Sequence, residues 1–464
     1  MLGDDYRLIG LSRSPSRARQ DADGPSYQWR KTDLFSRRQT IDALEGADLA
    51  VYLVHSLHPS ARLTQGRVGD LDILCADNFA RAAARADVKH IVYVSPRIPD
   101  DPAPDPFIAS RAHVEAALRS RGTPVTALRT TQIIGPGSTG TEILCRLVER
   151  LPAMLLPAWT HNPIRPLARC DLLDLIAHLL PRPQLDIDAL DVGGPQTTSF
   201  ADLIDTAAEL LERSNRTAAA PIDAPRLSTA WIRLWTGQPS WVIRPFIEQL
   251  RHPQADQLVE MPPELPRPTT SADQALQQAI QERQSQPSTH LPAVVENRSL
   301  ITWSRDRDVR AVHSMKMPTG RHHDASWVAR EYASWLPTAF RPFINVKRDD
   351  DHNLRFFLRP LPWPLLVLSY DEDVSRKNRQ LFWITAGLLA RHNPAGRLEF
   401  RTVLQGHRAI GAIHDFIPRL PWLLYLLTQA KIHHFVMRAF DRHLRRLDPP
   451  RDPDDPPAAL EHLP

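Results

Sequence analysis

At 464 residues, with 57 Lys+Arg against 53 Asp+Glu, the chain is too long for one ordinary core. Its net charge of +4 is too small for composition alone to mark a nucleic-acid binder. Three cysteines, Cys75, Cys145 and Cys170, show neither a metal spacing nor a disulfide framework, which suits a reducing compartment. No secretory leader opens the chain, and no apolar run reaches the roughly 20 residues of a spanning helix. A cytoplasmic protein is expected, and the sequons at Asn215 and Asn297 read as chance matches.

Tyr6–Ser12 (YRLIGLS) reads as a short apolar strand, followed directly by Arg13-Ser14-Pro15-Ser16-Arg17. A parallel nucleotide-binding unit ordinarily opens with a strand, a glycine-rich turn and a helix before such a strand. Only five residues precede Tyr6, so the reading is of a domain truncated at its N-terminus, without the usual pyrophosphate cradle. Leu49–Val54, Ile91–Ser95 and Val125–Thr130 are short, branched and apolar, as buried parallel strands are. Leu71–Ala86 and Ser110–Ser120 carry helical spacing between them, and Phe200–Arg213 reads as an amphipathic helix. This alternation predicts an α/β fold, a doubly wound, Rossmann-like parallel sheet over residues 1–213.

Beyond Arg213 the signal weakens. Residues 214–292 hold Pro262, Pro263, Pro266 and Pro268, then a stretch bearing Gln274, Gln277, Gln278, Gln281 and Gln284. Surface loops and short helices joining two domains are expected there. A second, α+β domain is expected over 293–447, with strands at Leu354–Leu358, Leu365–Tyr370, Leu398–Leu404 and Ala409–Ile417 and a long helix from Leu420 to Leu447. The proline-rich, acidic tail 448–464 reads as disordered.

In a parallel sheet, ligands bind beyond the carboxyl ends of the strands. Ser12, Arg13, Ser14 and Arg17 follow the first strand and could hold a ribose and an added 2′-phosphate, whose oxygens suit guanidinium groups. That favours NADP over NAD. Asp33-Leu34 would approach the adenine edge, with His55 and Ser56 after the next strand and Ser95-Pro96-Arg97 after the one beyond. Gly135-Pro136-Gly137 would turn over the same crevice, but no Lys-Ser/Thr ending follows, so ATP chemistry is unsupported.

Ala47–Leu57 (ADLAVYLVHSL), Asn78-Phe79-Ala80, Ile91–Ser95, Ser110-Arg111 and Leu128–Gly137 (LRTTQIIGPG) together resemble the atypical, NmrA-like branch of the short-chain dehydrogenase/reductase superfamily. Leu151–Pro157, Pro163–Pro166, Asp171 and Asp191–Pro195 continue the likeness over roughly residues 6–213, and Ala293–Arg298 resembles a junction found in longer members. The resemblance implies a doubly wound NAD(P)-binding core. It also implies a first strand and glycine-rich loop that this chain lacks. Active members use a tyrosine as acid and a lysine four residues later. Here Ala109 and His113 stand at those places. Ser95 could occupy the place of the family's hydroxyl donor, and His113 could shuttle a proton near neutral pH. The spacing Tyr27 to Lys31 lies before the middle strands and is read as coincidence.

Adjacent histidines on a helix point about 100° apart, so His322-His323 and His433-His434 are not read as metal sites. Trp303, Trp327, Trp335, Trp363, Trp383 and Trp422, with Leu361–Leu368, make the second domain aromatic; a strand-rich cup closed by a long helix could hold an apolar small molecule, as in START-type domains, which the order of elements resembles. Pro421–Thr428 is apolar, and Lys431, Arg438, Arg442, Arg445 and Arg446 follow, which suits peripheral contact with an anionic membrane through 420–447. Three functions stay open: an NAD(P)-dependent oxidoreductase acting on an apolar substrate, a non-catalytic cofactor sensor or scaffold, and a membrane-associated lipid binder. Nucleic acid is not expected, because arginines and aromatics do not interleave in a recognisable module.

Overall fold

The computed structural model describes residues 6–13, 27–56, 63–98, 106–221, 223–252, 261–285, 309–318 and 323–447. Ser14, Arg17, His322, the 293–298 junction and the 448–464 tail lie outside them. Packing separates two units. Described residues up to 56 and from 78 to 285 form the first; 63–77 and those from 309 onward form the second.

The first unit opens with β1 (Leu8–Ser12) and β2 (Tyr27–Lys31), paired in parallel from Leu8–Tyr27 to Ser12–Lys31. Helix α1 (Arg37–Leu44) starts at Ser36, whose hydroxyl accepts from Gln39 N. The chain continues through β3 (Leu49–Tyr52), β4 (Leu63–Gln65), α2 (Val68–Arg85), β5 (His90–Pro96), α3 (Pro106–Arg119) and β6 (Val125–Thr130). After these come β7 (Ile133–Ile134), α4 (Thr139–Arg150), β8 (Ala153–Pro157), β9 (Leu167–Ala168), α5 (Arg169–Leu179), β10 (Ala189–Val192) and α6 (Phe200–Leu210). A parallel sheet runs in the order β10-β6-β5-β3. Its inner strands are covered on both faces, with Ile91, Val92, Ala127 and Leu128 fully buried, which is why their sequences read as unbroken apolar runs. Among the described residues, β1 and β2 form a hydrogen-bonded sheet of their own. This is the Rossmann-like α/β architecture that the alternation predicts.

The stretch after β11 (Arg216–Ala220) differs from expectation. It supplies α7 (Pro225–Thr236), α8 (Ser240–Arg251) and α9 (Ala272–Ser285) to the first unit, not loops between domains. Ile232, Ile243, Phe246, Ile247 and Leu276 join one core cluster with Leu144 of α4 and Ile204 of α6. Most of the prolines stand at helix starts or between helices, where a missing N–H costs little. Gln274, Gln277, Gln278, Gln281 and Gln284 all face solvent, while Ala275, Leu276, Ala279 and Ile280 form the buried stripe. Arg283 anchors α9 through Glu142 (3.2 Å) and Glu149 (3.0 Å) of α4.

The second unit is a largely antiparallel sheet with helices. Its strands are β12 (Val309–Lys316), β13 (Ile344–Arg348), β14 (Leu354–Leu358), β15 (Pro364–Tyr370), β16 (Arg379–Ala386), β17 (Ala390–Arg391), β18 (Arg397–Val403) and β19 (Arg408–Pro418). The order is β13-β14-β15-β16-β18-β19-β12-β4, with β17 beside β19. Strand β4 comes from early in the chain and pairs in parallel, Val309 opposite Leu63. Helix α10 (Ala325–Ala339) starts at Asp324, whose carboxylate accepts from Trp327 N at 2.8 Å. The expected single terminal helix is broken at Thr428 (φ −121°, ψ −82°) into α11 (Trp422–Leu427) and α12 (Gln429–Arg446). No helix among the described residues is long and apolar enough to cross a membrane.

Candidate functional site

The carboxyl ends of β3, β5, β6 and β10 lie along one edge of the first unit's parallel sheet. Polar groups gather there. Arg97, buried just beyond β5, has its Nε 3.9 Å from the Asp191 carboxylate on β10, and its backbone N–H donates to the Thr130 carbonyl at 3.0 Å. The Thr131 hydroxyl donates to the Arg165 carbonyl, and the Arg165 guanidinium donates to the Gly194 carbonyl at 2.9 Å. Gly194 has a reason to be glycine: a Cβ there would overlap the Pro166 carbonyl oxygen. Gln249 of α8 reaches the Thr130 carbonyl at 3.4 Å. The sequence puts Arg97 at this edge and carries Thr131, Arg165 and Asp191 only inside motifs of the resemblance, while Gln249 has no sequence signal and joins them through tertiary packing.

The expected cofactor residues distribute unevenly. Ser12 and Arg13 stand at the carboxyl end of β1, with the Ser12 carbonyl accepting from Thr32 N at 2.9 Å. Asp33 is engaged in its own turn, its carboxylate accepting from Phe35 N at 3.2 Å. Leu34 is buried, and its carbonyl accepts from the Asn78 side chain at 2.8 Å. His55 and Ser56 follow β3, which ends at Tyr52 and not at Val54. A hydroxyl and a guanidinium at a strand end suit a ribose and a phosphate, so the donors present fit the adenosine half of a dinucleotide.

The expected catalytic pair lies on β5 and α3. Ser95 is buried at the end of β5, where its hydroxyl donates to the Pro96 carbonyl at 3.0 Å and its carbonyl accepts from Thr130 at 3.3 Å. His113 lies on the buried side of α3, one turn from Ala109, which is buried too. Beside them Arg111 is fully buried, with its guanidinium 4.3 Å from the Phe107 ring and 2.9 Å from the Ser110 hydroxyl. The helix face where the resemblance seats a tyrosine and a lysine is a packed one. His90, at the start of β5, is structural: its ring bonds to the Leu180 carbonyl and the Thr126 hydroxyl, each at 3.0 Å.

The second unit has an aromatic core. Tyr332, Leu336, Phe382, Phe400, Met437 and Phe440 are buried in one cluster. A cleft of about 160 Å³ lies beside α10, lined by Arg330, Arg348, His352, Tyr370, Gln380 and Phe382 among others. Contrary to the helical-wheel argument, His433 and His434 both approach one group: their rings lie 5.3 Å and 5.1 Å from His313. No group of three or more ligand-type side chains among the described residues could hold a metal ion.

Residues 1–147 match the family model described as NAD(P)H-binding. That stretch falls in the first unit, whose parallel sheet is Rossmann-like, and it overlaps the region that resembles NmrA-like short-chain dehydrogenases. The Auxiliary protein GraX of Staphylococcus aureus is 32% identical over 94 residues, which is 20% of this chain and only 30% of that relative's length. Among solved structures, the Citrobacter sp. triphenylmethane reductase complexed with NADP(H) aligns at 17% identity with a TM-score of 0.44, over 58% of this chain and 90% of that one. A nucleoside-diphosphate-sugar epimerase from Staphylococcus aureus aligns at 16% identity and a TM-score of 0.44, again over 58% and 90%.

Proposed function

We propose that the first unit binds a nicotinamide dinucleotide, NADP in preference to NAD, and that the chain acts as a cofactor-responsive binding protein. The observation that carries this reading is the burial of Ala109 and His113 on a packed helix face, together with the engagement of the Ser95 hydroxyl by Pro96. Neither group is poised to give a proton to a substrate. Ser12 and Arg13 would hold the ribose and its phosphate, Ser14 and Arg17 would extend that contact, and His55 and Ser56 would border the crevice. Asp33 and Leu34 would shape the adenine edge through the turn that they build.

A second reading keeps the chemistry. Bound NADPH would supply a hydride, and an apolar substrate would meet Ser95 at the end of β5, beside Thr130. In that case Ser95 must turn from Pro96 to orient the substrate, and His113 must pass on the proton.

Calorimetric titration of the full chain with NADPH and NADH tests both readings, followed by an assay of NADPH oxidation with apolar aldehydes and ketones. Micromolar NADPH binding, weakened by Arg13→Ala and without oxidation, is the expected result. Sustained oxidation abolished by Ser95→Ala would install the second reading in its place. No heat at millimolar cofactor would overturn both.

A further inference from the structure

One end of the second unit's sheet collects the start of β13, the end of β14, the start of β15 and the ends of β16 and β19. Backbone hydrogen bonds tie the loops there into one surface. Arg359 N donates to the Phe343 carbonyl (2.8 Å), Leu388 N to Pro364 (3.0 Å) and Arg419 N to Leu389 (3.1 Å). Helix α12 joins them through Phe435, whose ring lies 6.2 Å from that of Phe340.

Six large apolar side chains of this end, Phe343, Trp363, Leu424, Leu427, Ile432 and Phe435, are each more than half exposed. Scattered singly, exposed apolar residues are ordinary; gathered on one end they mark an interaction surface. The helices show that the exposure is selective. Tyr425 faces inward, with its hydroxyl accepting from Gln65 at 3.0 Å, and Val436, Met437 and Phe440 lie in the core. The outward side of α11 and of the first turns of α12 thus presents Leu424, Leu427, Ile432 and Phe435, with Lys431 among them.

Charge decides what covers this surface. Arg341, Arg359, Arg419 and Lys431 are exposed around it, and none pairs with a described residue. Stretches 340–348, 354–370, 384–398 and 416–440 contain no Asp or Glu at all. Cations without counter-charges around protruding apolar tips complement a layer of lipid phosphates over acyl chains, with a tryptophan at the boundary.

We propose that this end of the second unit docks on an anionic membrane surface. The contact is narrower than the 420–447 segment expected from sequence, and it draws in loops that the segment omits. Helix α12 has 18 residues and is roughly 27 Å long, so its last turns lie far from this end. There Arg445 pairs with Asp441 at 3.1 Å.

The test is sedimentation of the full chain with phosphatidylcholine vesicles, with and without phosphatidylserine. Two double variants accompany it, Arg359→Gln/Lys431→Gln and Trp363→Ser/Leu427→Ser, all at exposed positions. Unchanged melting curves show that the variants remain folded. Binding only to the anionic vesicles is expected, with each lost cation lowering affinity about fivefold. The apolar double variant should lose retention at raised salt. Absence of binding to anionic vesicles, or binding indifferent to both variants, would overturn the proposal. Self-association without lipid that both variants abolish would also overturn it, and would give the surface to a second copy of the chain.

Discussion

Arg401 Nη1 lies 2.8 Å from the Asp77 carboxylate, with both side chains almost wholly buried and 324 positions apart in sequence. Arg401 also binds Glu399 at 2.7 Å, and Glu399 accepts from Arg379 at 2.9 Å. Burial alone would raise the Glu399 pKa, but Arg401 and Arg379 hold it well below the usual carboxylate range. Removing one member strands a buried charge. Arg401→Met should therefore cost about 3–5 kcal/mol in urea unfolding, and Asp77→Asn/Arg401→Met together less than the sum of the single changes. Additive costs would show that the pair is not coupled.

Acid should destabilise the second unit through its histidines. Burial, then His433, His434, Arg438 and Arg67, push the His313 pKa down to about 2; burial and then Arg397 push His414 to about 3. Both are neutral when folded, whereas the unfolded chain protonates them near pH 6.5. Their contribution is complete above about pH 6.5 and is lost as pH falls toward the folded values. His433, held down to about 4 chiefly by burial, acts in the same sense. Asp70 opposes them: burial raises it to about 6, so its contribution is complete below 3.8 and is lost as pH rises through about 6. The histidines outnumber it. Between about pH 6 and pH 4, stability should fall by at least about 1.4 kcal/mol per pH unit. A urea midpoint that stays level or rises on acidification would contradict this balance.

Helix α9 should behave as core. Leu276 is fully buried in the first unit's main cluster. Leu276→Ala should cost about 2–5 kcal/mol, whereas Gln277→Ala on the solvent face should change little. Equal, small effects at both positions would mean that the helix only rests on the surface.

Two glycines should differ in what they tolerate. At Gly194 a Cβ meets the backbone carbonyl of Pro166, which cannot swing aside; at Gly140 it meets the end of the Gln132 side chain, which can, and comes to 3.1 Å from the Phe246 ring, which needs to give only slightly. Gly194→Ala is expected to cost about 1–3 kcal/mol and to displace the Arg165 contact. Gly140→Ala should melt within a few degrees of the parent chain. The reverse ranking would sink the argument from close approach.

Local pattern reveals some of this architecture and hides the rest. Strands β5, β6 and β14 are legible because their apolar residues are continuous or alternate over a full strand length. Strand β12 is not, because Arg310 and His313 are buried within it and spoil the apolar run. Strand β4 has three residues and finds its partner far along the chain, so no window contains the signal. At the candidate site, Ser12 and Arg13 could be read from the end of an evident strand. The contacts Arg97–Asp191 and Thr131–Arg165 could not, since they join elements whose spacing in sequence follows no rule. The glutamines of α9 misled for a plain reason: polar residues on one face of a helix look like a linker when the buried face is made of alanines with only one leucine and one isoleucine.

The place of β4 and of the first half of α2 in the second unit bears on how this protein can be made and inherited. A ribosome releases residues 63–77 long before it reaches β12 or Arg401, so the second unit must wait for the C-terminal half of the chain before it can close around them. An N-terminal fragment would expose a strand without its neighbour, and a C-terminal fragment would keep Arg401 while losing Asp77. What looks in sequence like two modules in tandem is interleaved, since residues 63–77 of the second unit lie between stretches of the first.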